Sequence, residues 1–162
     1  MLIRDATNAD VQAILAIYND VVTNTTAIYD ERPSTFDERQ AWFEGRRQQG
    51  LPVLVTELNG EVVGFSSFGD WRSRWGYRYT VEHSVHVRAD CRSRGLGRAL
   101  IEALFPRATA LGMHTMIGHI DSAAAASLRL HEKLGFTKVG TFREVGKLRG
   151  DWLSVVAVQR DI

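Results

Sequence analysis

The sequence predicts an α/β protein built on one mixed sheet, with elements in the order β-α-α-β-β-β-α-β-α-β-β. Three observations carry that expectation. Strand-like and helix-like runs succeed one another along all 162 residues, told apart by apolar period. Asn59-Gly60 lies between two β-rich runs, the strongest short hairpin signal, because both turn residues must take φ > 0. The stretch from Val81 to Ile120 reads strand–helix–strand, and strands joined through a helix pair in parallel. Antiparallel hairpins and one parallel crossover give a mixed sheet with helices on both faces.

Each element follows in turn. Leu2 to Ala6 is a first strand. Thr7 then offers an N-cap with Asp10 three residues on, a weaker relative of the capping box, and Val11, Ile14, Leu15 and Tyr18 carry a helix to about Val22. Thr23 to Thr35 contains Pro33 and reads as a loop long enough to bind something. Thr35 and Glu38 form a better capping box for a second helix ending near Gly50. Val53–Leu58 and Glu61–Phe68 flank Asn59-Gly60 as strands. Asp70–Gly76 is a loop rich in Trp and Arg, and Tyr77–Val87 is a long strand. Arg88–Gly97 is a loop with three Arg and two Gly, followed by a helix from Leu96 to Leu111 with Gly112 as C′ residue. Met113–Ile120 is a strand, Ser122–Leu134 a helix stopped by Gly135, and Phe136–Val145 and Trp152–Gln159 a closing antiparallel pair.

Bulk properties narrow the class. The length suits a single domain over 1–162. Hydrophobic residues at 44% and charged residues at 24% belong to an ordinary globular chain. A formal net charge of +1 gives no general attraction to nucleic acid or an anionic membrane, so any polyanion needs a local site. The single cysteine, Cys91, forbids an internal disulfide and fits a reducing compartment. Met1–Asp10 lacks a signal-peptide apolar core, and no window is apolar enough for a transmembrane helix. The expected location is the cytoplasm.

The strongest local signal runs from Val85-His86-Val87 into Arg92-Ser93-Arg94-Gly95-Leu96-Gly97. A strand enters a basic, glycine-bearing loop that opens a helix. The first amides of a helix have no internal partner and carry partial positive charge, which suits phosphate. A tight glycine turn with solvated arginines fits the same residues. A Walker A loop is excluded by the lack of Gly-Lys-Ser/Thr, and a dinucleotide fingerprint is disfavoured by Leu100 where a small residue belongs.

The whole chain resembles the GNAT superfamily of N-acetyltransferases. Arg92-x-x-Gly95-x-Gly97 matches the family's acetyl-CoA motif in place, and the helix ending in Gly135-Phe136 matches a second landmark. Thr80-Val81-Glu82-His83-Ser84-Val85, Leu130-His131-Glu132 and Gly150-x-Trp152 are similar to the phosphinothricin/methionine sulfoximine branch, whose members acetylate the α-amine of small amino acids. Two positions depart from that pattern. Ala124 stands where the family usually has an Asn that helps hold the cofactor arm. Near the C-terminus the branch's Lys is displaced by one position, and Ser154 replaces an acidic residue.

The resemblance implies acetyl-CoA as cosubstrate, an amino acid as acceptor, a homodimer and direct transfer. It places acetyl-CoA on the backbone of Val85, His86 and Val87, on Arg92, Ser93, Arg94, Gly95, Leu96, Gly97 and Arg98, and at Ser127. Glu82 is then the general base, directly or through water, since an α-amine, of pKa roughly 8 in peptides and higher in free amino acids, must lose a proton before attacking. His131 stands where many relatives carry a proton-donating Tyr; it could relay the amine's proton or protonate the leaving sulfur. Tyr29, Arg72 and Arg74 are candidate substrate contacts, an arginine fork matching a carboxylate, with Glu82 beside them. On the residues alone, Glu82 also reads as an outward-facing strand residue, His131 as a surface histidine, and Arg72 and Arg74 as rim charges. Glu31 and Arg32 read as loop charges. Cys91 has arginines but no base beside it, and His83, His86, His114 and His119 lack zinc-site spacing, so no metal is expected. Rival readings are a polyamine, aminoglycoside or protein N-terminus as acceptor, or an acetyl-CoA-binding module without catalysis; Arg72 and Arg74 would repel a polycation.

Overall fold

The computed structural model describes residues 1–162. One seven-stranded sheet runs β1-β2-β3-β4-β5-β7-β6. Its strands are β1 Leu2–Asp5, β2 Val53–Leu58, β3 Glu61–Asp70, β4 Thr80–Val87, β5 Thr115–Asp121, β6 Thr137–Leu148 and β7 Asp151–Asp161. The helices are α1 Val11–Asn24, α2 Phe36–Gln48, α3 Leu96–Ala110 and α4 Ala125–Lys133. The expected element order and mixed sheet are both present. β4 and β5 form the one parallel pair, and every other neighbour is antiparallel.

Local sequence accounts for most boundaries. Both capping boxes form, Thr7 with Asp10 and Thr35 with Glu38. A short 3-10 turn over Asn8–Asp10 leads into α1. Asn59 (φ 52°) and Gly60 (φ 81°) make the expected hairpin turn. Several boundaries differ from expectation: β3 runs on to Asp70, expected in a loop, and β5 starts at Thr115 rather than Met113. Tyr77 closes a 3-10 turn over Trp75–Tyr77, so β4 starts at Thr80 rather than Tyr77. α4 starts at Ala125, because the Asp121 side chain accepts from Ala123 N–H at 2.9 Å and holds Ser122–Ala124 in a turn. β6 and β7 are longer than expected: they turn at Arg149-Gly150, both at positive φ (48° and 88°), with irregular register near Lys138–Gly140 and Phe142–Gly146.

Strand alternation sorts the core into two faces. Val53, Val55 and Phe65 pack with Val11, Ile14, Ile17 and Phe43 of α1 and α2. Leu54, Phe68, Val81, Met116 and Val158 pack with Leu100, Ile101, Leu104 and Ala108 of α3. These side chains are nearly all removed from water, at about 25 cal/mol for each Å² of apolar surface. The two clusters clamp the sheet from opposite faces.

It opens between β4 and β5. Their pairing covers Thr80–Glu82 against Thr115–Ile117 and stops there, although β4 continues to Val87 and β5 to Asp121. Arg88 N–H donates to Val63 of β3 at 2.8 Å. Ladder alternation therefore turns Thr80, Glu82, Ser84 and His86 toward β3, and the amides of Val85 and Val87 into the gap.

Candidate active site

The gap belongs to a cavity of about 870 Å³ that passes between β4 and β5 and reaches both faces of the sheet. Glu82, Ser84, His86 and His119 border it on the α1–α2 side. His83, Ser127 and His131 border it on the side of α3 and α4. Tyr29, Arg72, Arg39 and Asp121 complete its walls.

On the α1–α2 side, His119 Nδ1–H donates to Glu82 Oε1 at 2.8 Å. The side chains of His119 and Glu82 are 31% and 40% exposed, so the carboxylate is held in place yet open to solvent and to an incoming amine. On the other side, His83 and His131 are 7% and 3% exposed. Their Nε2 atoms lie 2.9 Å apart, with His83 Nδ1 on the Ile117 carbonyl at 3.0 Å and His131 Nδ1 on the Ser127 carbonyl at 2.7 Å. Burial lowers the proton affinity of both rings; the bond to Ser127 opposes it at His131. Phe136 packs against both imidazoles.

The phosphate-loop residues come together at the N-terminus of α3. Ser93 (φ 61°) and Gly95 (φ 81°) take left-handed conformations, natural for glycine and less common for serine. Gly95 is the N-cap and provides no side-chain cap, and the first turn holds no acidic residue. Ala99 N–H is the first to reach back, to Gly95. The amides of Leu96, Gly97 and Arg98 are left without intrahelical partners, a ready anion site. A methyl group at Gly97 would meet only ordinary contacts, 3.8 and 3.9 Å from Leu130 and Val87, so the space over it is open to a ligand. Arg92 bonds the Val87 carbonyl at 3.1 Å and Arg94 the Asp90 carbonyl at 3.3 Å, and no acidic side chain pairs with either. Arg98 instead pairs with Glu102 at 2.9 Å, and the Leu96 side chain is buried. These two residues face the anion site with their backbones. The residues present therefore suit a pyrophosphate, with a linear arm leading to the open amides of Val85 and Val87.

This chain is matched over residues 14–136 by the acetyltransferase (GNAT) family. It is 51% identical over 161 residues to the L-methionine sulfoximine/L-methionine sulfone acetyltransferase of Pseudomonas paraeruginosa, covering 99% of this chain and 94% of that one. The chain belongs to the GNAT family. It is an acetyl-CoA-dependent N-acetyltransferase of the GNAT fold. Two solved structures are similar across the molecule. A Salmonella typhimurium protein solved with its cofactor acetyl-CoA superposes with a TM-score of 0.97 at 48% identity, covering 99% of this chain and 93% of that one. The ribosomal-protein-alanine N-acetyltransferase of Brucella melitensis superposes with a TM-score of 0.99 at 42% identity, covering 100% of both.

Within this GNAT site the substrate-side residues divide. Arg72, stacked over Trp71 with its Cζ 4.6 Å from the ring, borders the main cavity; Arg74 borders a separate shallow recess with Arg72, Ser73, Gly76 and Tyr77. Tyr29 packs on Gly146, where a Cβ would come within 3.1 Å of its ring. Burial, then the Asp121 carboxylate, raises the Tyr29 hydroxyl. The early loop is tied down by Arg149, which donates to the carbonyls of Val22 (3.2 Å) and Thr25 (2.8 Å), and by Thr26, which donates to Asp121. Glu31, expected as a loop charge, accepts from the Arg149 amide. Arg32 pairs with Glu38 at 2.8 Å. Ala124 caps α4 without a side-chain bond.

Sequence reasoning missed His83, His119, Asp121 and Arg39 as wall residues. His83 follows Glu82 and so faces the opposite side of the sheet, a relation period 2 could have supplied. His119 needs the β4–β5 register, and Arg39 the docking of α2, its Cζ 3.8 Å over the Tyr18 ring; neither is written in local sequence. Cys91 is buried, with its sulfur 3.6 Å from Arg88. No three His, Cys, Asp or Glu side chains converge to hold a metal ion, and no helix is long and apolar enough to cross a membrane.

His86 carries a stability prediction. Burial, then the charges of Arg39 and Arg92, lower it from 6.5 to about 4. The unfolded chain therefore binds this proton more readily, so stability is full above pH 6.5 and falls as pH drops toward 4. The loss attributable to His86 is at most about 3 kcal/mol. Denaturant melts of wild type and His86→Gln between pH 7 and 4 should converge as pH falls. Curves that stay parallel would show that His86 is not the group responsible.

Proposed function

We propose that this acetyltransferase acts on the α-amine of a small amino acid of the methionine sulfoximine, methionine sulfone or phosphinothricin kind. The observation that carries the reading is one cavity, opened where β4 and β5 part, that holds a carboxylate, Glu82, a cation, Arg72, and the strand residue Val85, on the strand that leads on into the anion-binding start of α3. The name of the Pseudomonas relative supports the same substrates.

Each residue then has a task. The amides of Leu96, Gly97 and Arg98, with Arg92 and Arg94, hold the pyrophosphate, and the open loop at Ser93 and Gly95 gives it room. The amides of Val85 and Val87 hold the arm, and one of them supports negative charge developing on the thioester oxygen; His86 bears on this through its backbone position. Ser127 flanks the arm from α4. Arg72 pairs with the substrate carboxylate, with Arg74 at the outer rim, and Tyr29 covers the side chain. Glu82, oriented by His119, takes the ammonium proton directly or through water, and the neutral amine attacks. His131, on the opposite face, is placed to protonate the departing sulfur rather than to serve the amine.

We further read residues 1–162 as one domain and the protein as cytoplasmic, in keeping with its single reduced, buried cysteine. We read it as a homodimer joined near the β6–β7 end, where Val139, Phe142, Val145 and Trp152 are 52–64% exposed at the sheet edge. Nothing in the charge balance favours a nucleic-acid or membrane partner.

A second reading, a protein N-terminus as acceptor, is supported by the name of the Brucella structure. CoA thiol release separates the two. The panel holds L-methionine sulfoximine, methionine sulfone, phosphinothricin, ordinary amino acids, a polyamine, an aminoglycoside and an alanine-initiated peptide. Turnover confined to amino acids with a free carboxylate is expected. Preference for the peptide or a polycation would overturn the amino-acid reading, and binding of acetyl-CoA with no release for any amine would indicate a binding module.

A further inference from the structure

The hydrogen bonds around His83 and His131 do not balance with two neutral rings. A carbonyl oxygen can only accept. The Ile117 carbonyl at 3.0 Å and the Ser127 carbonyl at 2.7 Å therefore each call for a proton on the Nδ1 they face. Two neutral imidazoles own two protons in all. With both on Nδ1, the two Nε2 atoms meet lone pair to lone pair at 2.9 Å, a hydrogen-bond distance with no hydrogen. Moving one proton to the Nε2 contact strands a carbonyl against an unprotonated Nδ1. Every contact is satisfied only when the pair holds three protons: one on each Nδ1 and one shared between the Nε2 atoms.

We propose that His83 and His131 work as one acid: together they carry a single shared Nε2 proton, and His131 delivers it to the sulfur leaving acetyl-CoA. His83 is a positioning residue in this unit, holding the proton on His131. The delivery step rests on the acetyl-transfer reading above. In it the thioester C–S bond breaks, its electron pair goes to sulfur, and the His131 Nε2 proton converts the thiolate to the thiol. The pair is left neutral, with its two Nδ1 protons in place and its Nε2 atoms opposed, and regains a proton from water.

The surroundings favour one proton and not two. His86 from β4 and His119 from β5 are the titratable groups whose charge reaches His83 besides His131. No carboxylate touches either ring: Glu82 is turned to His119 on the other face, and Arg160 of β7 is turned to the Leu134 carbonyl. Neither ring has a counter-ion, so the one positive charge is held by the two carbonyls and the shared Nε2 bond alone; a second would have no such support, and burial, then the charge on His131, push His83 well below the ordinary imidazole value. The site is also shaped for the ring. A Cβ at Gly118 would fall 2.7 Å from His83 Cε1 and 3.1 Å from Val158, so glycine in β5 makes the room in which His83 sits.

Imidazole ¹⁵N–¹H spectra of the ligand-free protein, labelled at histidine and titrated from pH 5 to 9, test the shared proton without any turnover. The expected result is two Nδ1 atoms that stay protonated throughout and two Nε2 resonances that shift together over one titration, worth one proton for the pair. Fixed complementary tautomers at every pH, one ring carrying Nδ1–H and the other Nε2–H, would overturn it. Delivery is tested with His83→Asn, which cannot share the proton. Its kcat at neutral pH should fall by about tenfold, less than the roughly 10²- to 10⁴-fold for complete loss of an acid because His131 remains, and the alkaline limb of its kcat profile should move to lower pH. The KM for acetyl-CoA should stay unchanged. A variant with the wild-type limb would overturn delivery through the pair. Failure of the wild type to release thiol with any amine would remove the acetyl-transfer reading and the delivery step with it, while the spectra still decide the shared proton.

Discussion

Glu82→Gln should lose kcat by on the order of 10² to 10⁴ while acetyl-CoA binds as before. The substitution keeps the shape of the side chain and its hydrogen bond with His119, which now spans a neutral amide instead of a carboxylate. What disappears is the place for the ammonium proton. The α-amine of a free amino acid is more basic than a peptide's, whose pKa is roughly 8, and so is mostly protonated at neutral pH; without a base only the small free-amine fraction reacts. The deficit should therefore shrink as pH rises toward 9, where solvent holds a growing share of the amine unprotonated. Calorimetric titration with acetyl-CoA, beside kcat at pH 7 and pH 9, makes the check. Retained kcat at pH 7 would end the assignment of Glu82 as base. Lost acetyl-CoA binding would show instead that the gap between β4 and β5 had collapsed.

Arg72→Ala should raise the KM for an amino-acid substrate by on the order of 10- to 100-fold with kcat nearly kept, since a charge-assisted hydrogen bond contributes about 1.5–3 kcal/mol. Arg72 borders the cavity that holds Glu82, and its guanidinium lies over Trp71, which limits where the fork can point. Its binding energy is the same before and during transfer, so it appears in KM. Arg74→Ala should do less, because Arg74 faces the outer recess. The diagnostic is the amino-acid methyl ester: wild type should discriminate against it, and Arg72→Ala should not. If acid and ester remain as far apart in the variant as in wild type, the carboxylate is read elsewhere on the wall, where Arg39 also presents a cation.

The fold was legible because its signals are local. Thr35 with Glu38 starts a helix wherever that segment lies, and Asn59-Gly60 turns a chain back on itself without help from the rest of the molecule. Boundaries went astray where a longer-range contact intervened. Asp121 captures the Ala123 amide and delays α4 by three residues. The Trp75–Tyr77 turn, closed by Arg78 lying over the rings of Trp75 and Tyr79, takes three residues from the expected strand. The Arg149-Gly150 turn lies outside the strands expected there because arginine at positive φ carries no usual turn signature.

The site was legible in part. Glu82, His131 and the Arg92–Gly97 loop stand in recognisable local patterns, and family resemblance attached roles to them. Their partners lay in other elements. His119 reaches Glu82 across 37 residues of chain and His83 reaches His131 across 48, distances over which a sequence specifies no register.

The sequence by itself determined the order of elements, the mixed sheet, the anion-binding helix start and the family, because caps, turns, period and motif spacing act over a few residues. The tertiary structure alone decided that β4 and β5 part after Glu82, that Arg72 rather than Arg74 borders the main cavity, and that two buried histidines meet at Nε2. Those are matters of register and packing, set when α1–α2 and α3 close on opposite faces of the sheet and leave its centre open.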